Sequence, residues 1–363
     1  MPDNDLLIFL ALYLAQVGVF VYGLYRTKDR TMPAADIFVS VVIAARDEEE
    51  NLPHCLESLS HQSYPASKFE IILANDNSTD GTSAVCDRFA REHPNFSSFV
   101  ARNEEGLPGK PNALAQAIEK ARGEVILITD ADCVVPATWI EFTARRFSDD
   151  VGLVGGITLQ RANNAFEGMQ SLDWAYILGI AASSAALGNP LGSIGNNLSF
   201  RKKAYEQVGG YKNIKFSVTE DYTLVQAILR TRKWNFLYPI DENTLVESRP
   251  CPTFRSLLQQ KHRWGKGGLD MKVWGLLIMA IGFSLHAALL WHFVWFSIAS
   301  TAAVLLVKFI ADYAFLYQIL IRLKRTEELK YFYWFELYYT CYVLFLPFLV
   351  FFGGNVIWKG RRY

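Results

Sequence analysis

The sequence predicts an α/β fold, with a mostly parallel, doubly wound sheet flanked by transmembrane helices. Three observations lead there. Strand-length apolar runs alternate with helical patterns through the middle of the chain, long runs without charge lie towards both ends, and polar, largely acidic clusters follow the apolar runs. Across the 363 residues, 36 Lys+Arg balance 36 Asp+Glu. That neutral balance lacks the clustered positive charge that nucleic-acid binding requires, so no nucleic-acid partner is expected. Charged residues make up only 20%, against roughly 25% in a soluble domain.

From Leu6 to Tyr25, 20 consecutive residues carry no acidic or basic side chain, and about 20 apolar residues in a helix cross the hydrocarbon core. A cleaved signal peptide would put positive charge before such a run and small residues after it. Here Asp3 and Asp5 precede it, and Arg26, Lys28 and Arg30 follow. An uncleaved anchor is expected, with the residues after it in the cytoplasm.

Val273 to Val307 is 35 residues without charge, too long for one crossing at roughly 1.5 Å per residue. Two helices are expected. The second continues through Lys308 and Asp312, whose i,i+4 spacing lets them neutralise each other, a pair expected near an interface. Leu337 to Trp358 is a last uncharged run, broken by Pro347, Gly353 and Gly354, expected to span or to lie in the interface. Three spans after a cytoplasmic domain would leave the loop with Arg322, Lys324, Arg325 and Lys330 inside, but the tail with Lys359, Arg361 and Arg362 outside, against the charge tendency. Trp174 to Phe200 is uncharged too, yet its apolar portion ends near Leu187. Roughly 14 apolar residues suit a buried core helix better than a span.

The expected division is an anchor over 1–30, a cytoplasmic domain over 31–268 and a membrane region over 269–363 with two or three helices. The chain is accordingly expected to be a multi-pass integral protein of a bacterial inner membrane. Its five cysteines are scattered without a CxxC pair, so neither a disulfide framework nor a zinc site is expected.

Within the central block, Phe38 to Ala44, Phe69 to Ala74 and Val125 to Thr129 are β-branched and apolar runs of strand length. Leu52, Cys55, Leu56 and Leu59 repeat at helical spacing, as do Ala113, Leu114, Ala117 and Ile118. Strand–helix–strand alternation gives a mostly parallel sheet, and such sheets bind ligands beyond the carboxyl ends of their strands.

The residues after each run are therefore the ones to weigh. They are Arg46 to Asn51, Asn75 to Thr82, and Asp130-Ala131-Asp132. Singly, the second cluster is an ordinary turn with a helix cap, and one Asp-x-Asp carries little weight. In order, each after a strand, they are expected to share one rim. In an extended segment residues two apart point the same way, so Asp130 and Asp132 would face one ligand. Magnesium or manganese takes one or two carboxylates plus phosphate oxygens. A divalent ion between Asp132 and a diphosphate would neutralise the charge of a departing nucleoside diphosphate.

This order of motifs resembles glycosyltransferase family 2, the inverting nucleotide-sugar enzymes with the A-type fold. VVIAARDEEENL is similar to the family's first strand and donor-binding turn, ILANDNSTDGT to its nucleotide motif, GKPNALAQAI to its lysine-containing helix start and ITDADC to its DxD segment. IGNNLSFRKKAYEQVGGY is similar to the acceptor-side segment, Thr219-Glu220-Asp221 to the TED motif, and Gln260 to Trp264 to QxxRW. The resemblance covers roughly residues 38 to 265. TED followed by QxxRW points to the membrane-embedded branch that includes ceramide glucosyltransferases and cellulose, chitin and hyaluronan synthases.

The resemblance implies a UDP-sugar donor, a lipid or lipid-like acceptor and a divalent metal, and it implies roles for particular residues. Asp76 would hold the uridine in a pocket lined by Ala44, Arg46 and Glu48. Lys110 would lie near the phosphates, although a surface lysine at a helix start is as simple a reading. Asp130 would contact the donor and, with Asp132, the metal. Gln260 and Arg263 would clamp the diphosphate. Asn196, Asn197, Glu220 and Trp264 would serve the acceptor, and Asp221 would be the catalytic base of a single displacement. Read locally, Thr219 caps a helix through Tyr222 to Arg230, with Glu220 and Asp221 complementing its dipole. The family's nucleotide motif commonly opens with two acidic residues, whereas Asn75 precedes Asp76 here.

The function implied is inverting transfer of one sugar to a hydroxyl of a membrane-resident acceptor of glycolipid, polyprenyl or carotenoid type. A processive polysaccharide synthase is the alternative, though three C-terminal spans are few for a polymer channel. A non-catalytic scaffold subunit is a third, but such a relative has no chemical reason to keep Asp130, Asp132, Asp221 and Arg263 together. The sequence names no protein partner.

Overall fold

The computed structural model describes residues 3–27, 36–104, 106–215, 217, 219–269, 271–354, 357–358 and 361–362. Lys28, Arg30, Lys359 and the expected boundary at 30/31 lie outside these residues. Chain order runs α1 (Asp3–Arg26), β1 (Val39–Ala45), α2 (Leu52–Ser60), β2 (Phe69–Asn75), α3 (Thr82–Glu92), β3 (Phe96–Val100), α4 (Lys110–Lys120) and β4 (Val125–Ile128). It continues through β5 (Cys133–Val134), α5 (Trp139–Ala144), β6 (Val151–Gly155), β7 (Thr158–Gln160), α6 (Ala165–Ala186), β8 (Leu198–Arg201), α7 (Lys202–Gln207), α8 (Gly210–Asn213) and α9 (Glu220–Arg230). Then come β9 (Asn235–Leu237), β10 (Val246–Ser248), α10 (Phe254–Gly268), α11 (Val273–Trp295), α12 (Ile298–Arg322) and α13 (Phe332–Phe352). These elements form two compact units, one of residues 27–159 and 192–249, the other of 1–26, 160–191 and 250–363.

The first unit is built on a seven-stranded sheet in the order β3-β2-β1-β4-β8-β6-β9. Four of its six neighbouring pairs are parallel, and β8 runs antiparallel to both β4 and β6. The mostly parallel α/β sheet is therefore present. The period of two puts Val39, Val41 and Ile43 on one face, against Leu52, Cys55, Leu56 and Leu59 of α2, Phe89 of α3 and Trp139 of α5. On the other face Val42, Ile72 and Ile126 meet Ala113, Leu114, Ala117 and Ile118 of α4 and Leu224 and Ile228 of α9. Both sides are covered, as a doubly wound sheet requires. The register Val39↔Phe69 to Ala45↔Asn75 ends β1 and β2 level, so Arg46 and Asp76 leave the sheet side by side.

The second unit is helical. Among the described residues four helices are long and apolar enough to cross a membrane: Asn4–Arg26, Val273–Trp295, Ile298–Arg322 and, with the 3₁₀ turns that precede α13, Thr326–Phe352. The 35-residue run does break into two helices, α11 and α12, at Phe296–Ser297. The last helix differs from expectation in starting at Phe332 and passing unbroken through Pro347 to Phe352. Its first turns contain Glu336, which an uncharged-run criterion excludes but which is buried against Lys308 at 2.6 Å. Lys308 also pairs with Asp312 at 2.8 Å, with all three side chains 0% exposed. This pair sits midway along α12 and not near its end. The expected buried helix after Trp174 is α6, which begins earlier, at Ala165, and packs against α1, α12 and α13.

Candidate active site

The carboxyl edge of β1, β2 and β4 gathers the acidic clusters. Asp76, 3% exposed, donates its N–H to Ala45 O at 2.8 Å and accepts from Arg46 Nη1 on its carbonyl at 3.1 Å. Ala44 and Glu48 are half-buried beside them. Not every acid here faces outward chemistry. Asp47 Oδ1 accepts the Thr79 N–H at 2.8 Å, Glu49 Oε2 accepts the Gly81 N–H at 2.7 Å, and Asp80 Oδ2 accepts the Glu49 N–H at 3.1 Å. These three lace the loop after β1 to the loop after β2. Asp47 and Asn77 hold φ of 52° and 56° in the process, a conformation that Asp and Asn tolerate.

The Asp-x-Asp segment corrects one expectation. After β4 ends at Ile128 the chain turns, with the Cys133 N–H bonding Asp130 O at 3.1 Å. Strand alternation does not apply to that turn. The two carboxylates nevertheless act on common neighbours. Burial first, then Asp132, Asp130 and Glu48, push the Cys55 thiol well above its ordinary range. Burial and the same two aspartates do likewise to Cys133.

Lys110 is no surface lysine. It opens α4 after Gly109, whose φ of 74° glycine alone adopts readily. Its ammonium lies 2.6 Å from Asp130 Oδ1 and 3.4 Å from Glu220 Oε1. Burial alone would lower its pKa, but Asp130, Glu220 and Asp221 outweigh burial and hold it above the ordinary range. Burial acts on the Asp221 carboxyl in the opposite sense. Burial and the neighbouring Glu220 carboxylate raise it to about 6, while Lys110 and the backbone N–H groups of Tyr222 and Gly195 oppose the rise. The Tyr222 N–H donates to its Oδ1 at 2.8 Å.

Thr219 makes no side-chain cap bond at the start of α9, so a simple capping role for that threonine is not realised. Asp130, Lys110, Glu220 and Asp221 thus form one charged cluster. Buried Tyr211 lies in its field, a residue that sequence reading passed over although it belongs to the Gly-Gly-Tyr after α7. Gly195 was likewise missed as a neighbour of Asp221, since a Cβ there would stand 3.3 Å from Asp221 Oδ2.

Asn196 and Asn197, expected on the acceptor side, are both buried. Asn197, 3% exposed, accepts from Trp139 Nε1 at 3.0 Å and donates to the carbonyls of Ile157 and Thr244 at 2.9 and 3.0 Å. Asn196, 4% exposed, accepts from Thr158 Oγ1 at 2.9 Å. Inward hydrogen bonds thus hold the whole Asn197 amide and the Asn196 amide oxygen, just before β8.

Gln260, Arg263 and Trp264 lie on α10 in the helical unit. Thr253 and Ser256 begin that helix with a capping box. Gln260 Oε1 is buried with no hydrogen-bond partner among the described residues, and the Trp264 ring packs on Trp174 at 5.3 Å between centroids. Among the described residues no group of three or more His, Cys, Asp or Glu side chains is arranged to hold a metal. A cation at the Asp-x-Asp segment would draw its remaining ligands from a bound phosphate and water.

Comparison with known proteins agrees with this architecture. The chain is 27% identical over 252 residues to a beta-monoglucosyldiacylglycerol synthase of Nostoc sp., which covers 66% of this chain and 51% of that protein. It is 26% identical over 237 residues to a poly-beta-1,6-N-acetyl-D-glucosamine synthase of Staphylococcus epidermidis, covering 64% and 55%. The chain thus spans about half the length of these curated relatives. Its fold is shared by the mannosyltransferase PcManGT of Pyrobaculum calidifontis, solved with GDP-Man and Mn2+, at a TM-score of 0.68 and 17% identity over 98% of this chain and 100% of that one. The model of glycosyl transferase family 21 matches residues 7–363, and the chain belongs to that family.

Proposed function

We propose that this protein moves a sugar from a UDP-sugar to a hydroxyl of a membrane-resident lipid, with inversion at the anomeric carbon. The observation that carries this reading is the meeting of Asp130, Lys110, Glu220 and Asp221 at the carboxyl edge of the parallel strands, with Asp221 raised to about 6. A carboxylate tuned that high is poised to take a hydroxyl proton near neutrality. The relatives' names, one a glycolipid synthase and one a polysaccharide synthase, support a carbohydrate donor and leave the acceptor class to experiment.

Asp221 accepts the proton of the acceptor hydroxyl as its oxygen bonds to the anomeric carbon. The bond from that carbon to the diphosphate breaks on the opposite face, and its electron pair leaves with UDP. Asp76 and Arg46 hold the uridine end, and Lys110 orients Asp130 towards the donor. Gln260 and Arg263 grip the diphosphate, and Trp264 walls the acceptor. Asp132, with Asp130, would hold a Mn or Mg ion, since an all-carboxylate set of two suits a hard cation completed by phosphate oxygens. When bound, the ion neutralises the charge that grows on the leaving diphosphate. The basic flank Arg26, Lys28 and Arg30 supports a cytoplasmic side for the residues that follow.

Purified full-length protein in detergent, given Mn2+, labelled UDP-glucose and either dioleoylglycerol or ceramide, is expected to yield a discrete chloroform-soluble β-linked product. An insoluble polymer would favour the processive reading, and no turnover of any UDP-sugar would contradict both. Chelation with EDTA is expected to stop transfer and added Mn2+ or Mg2+ to restore it, read by the same assay. The pH profile follows from the direction of the Asp221 shift. Below about 6 the carboxyl is protonated and cannot act as base, so kcat/KM is expected to rise through that pH and level above it.

A further inference from the structure

The helix carrying Gln260, Arg263 and Trp264 is gripped from behind at two points. Lys261, one residue along from Gln260, is 1% exposed and donates from Nζ to Oδ2 of Asp173, which is 0% exposed on α6. The next residue on α6, Trp174, packs its ring on Trp264. Two adjacent residues of α6 therefore hold two residues of α10 that stand three apart, which is one helical turn. The Lys261 ammonium also lies 4.4 Å from the Trp264 ring centroid and 5.0 Å from that of Tyr342 on α13. The Trp264 indole thus has a cation and a second indole as neighbours, and neither is one of the three residues that define QxxRW.

Geometry makes this grip directional. At about 100° per residue, Gln260, Arg263 and Trp264 share one arc of α10, and Lys261 fixes the azimuth of that arc. A helix held only by apolar contacts can roll, whereas an ammonium must meet its one carboxylate. Gly265 lets α10 approach α13 closely, because a Cβ there would stand 2.9 Å from Leu346 Cδ1 and closer still to Val350. A buried pair of this kind adds little net stability compared with apolar packing of the same volume, so its consequence lies in placement.

We propose that Lys261 and Asp173, together with Trp174, are positioning residues that hold the Trp264 ring at the setting acceptor binding requires. This rests on the reading of Trp264 as an acceptor wall. The test is steady-state kinetics of the full-length enzyme in detergent with UDP-glucose and whichever of dioleoylglycerol or ceramide it glycosylates. KM is the readout because, unlike kcat, it does not depend on the fraction of protein that folds. Lys261→Met and the paired Lys261→Met/Asp173→Leu variant are each expected to raise the acceptor KM about tenfold or more, and the donor KM by a smaller factor, because Gln260 and Arg263 share the arc but only Trp264 touches the grip. An unchanged acceptor KM with only a lower kcat would overturn the proposal. Should the methionine variants give no active protein, Lys261→Arg keeps the charge in an enlarged head group. Its acceptor KM is expected to rise several-fold, and an unchanged value would overturn the proposal equally. Trp264→Ala separates the two layers. If it leaves the acceptor KM unaltered, the reading of Trp264 fails. If it raises that KM while the Lys261 and Asp173 variants do not, positioning alone fails.

Discussion

Replacing Asp221 with asparagine is expected to lower kcat for sugar transfer by about 10²–10⁴-fold, the usual contribution of a positioned base, and to leave the donor KM near its original value. The amide keeps the size of the side chain and removes its basicity and its negative charge. The electrostatics supply the control. Because burial and Glu220 raise the Asp221 carboxyl to about 6, the folded state holds a proton that the unfolded chain releases nearer the ordinary carboxylate range. This group's contribution to stability therefore falls as pH rises from that range through about 6. At pH 8 the charged carboxylate is a liability to the fold, so Asp221→Asn is expected to be at least as thermally stable as the parent there. Loss of activity together with a lower melting temperature at pH 8 would point to misfolding and against the catalytic assignment.

The second large effect belongs to the helical unit. Lys308 Nζ lies 2.8 Å from Asp312 Oδ2 and 2.6 Å from Glu336 Oε2, and Tyr13 and Tyr176 donate to Asp312 Oδ1 at 2.7 and 3.0 Å. One cation thus organises side chains from α1, α6, α12 and α13. Lys308→Met is expected to lower stability by about 3–5 kcal/mol, because removing one partner leaves buried carboxylates uncompensated. The measurement is the unfolding midpoint of detergent-solubilised protein. Replacing all three charges together, as Lys308→Met/Asp312→Leu/Glu336→Leu, is expected to recover much of the loss. An unchanged midpoint for Lys308→Met would show that the cluster does not hold these helices.

Periodicity made the frame legible. The apolar runs at Phe38, Phe69 and Val125 became β1, β2 and β4, and the spacing of Leu52, Cys55, Leu56 and Leu59 became the buried face of α2. Strands such as FSSFV, LSFR and NFL were not read, because three to five residues are too few to show a period. Counting uncharged runs placed the first three long helices but cut α13 short at Glu336, whose charge a distant lysine answers. The same habit began the α6 run at Trp174 and hid Asp173, the partner of Lys261.

At the rim, motif order brought the acidic clusters to one edge. It could not distinguish Asp47, Glu49 and Asp80, which bind the two loops to each other, from Asp130 and Asp221, which meet around Lys110. Nor did it foresee that inward hydrogen bonds hold the Asn196 and Asn197 amides. Hydrogen bonds between residues far apart in the chain decide such assignments, and no local pattern records them.

The central claim is that carboxylates from separate strand ends serve one cation and one departing nucleotide. Crystals grown with UDP and Mn2+, with data collected at the manganese absorption edge, test it most directly. The expected result is an anomalous peak against the Asp132 carboxylate and bridging the diphosphate, with the uracil beside Asp76 and Arg46. A nucleotide bound away from Asp76, or a manganese peak remote from Asp130 and Asp132, would contradict it.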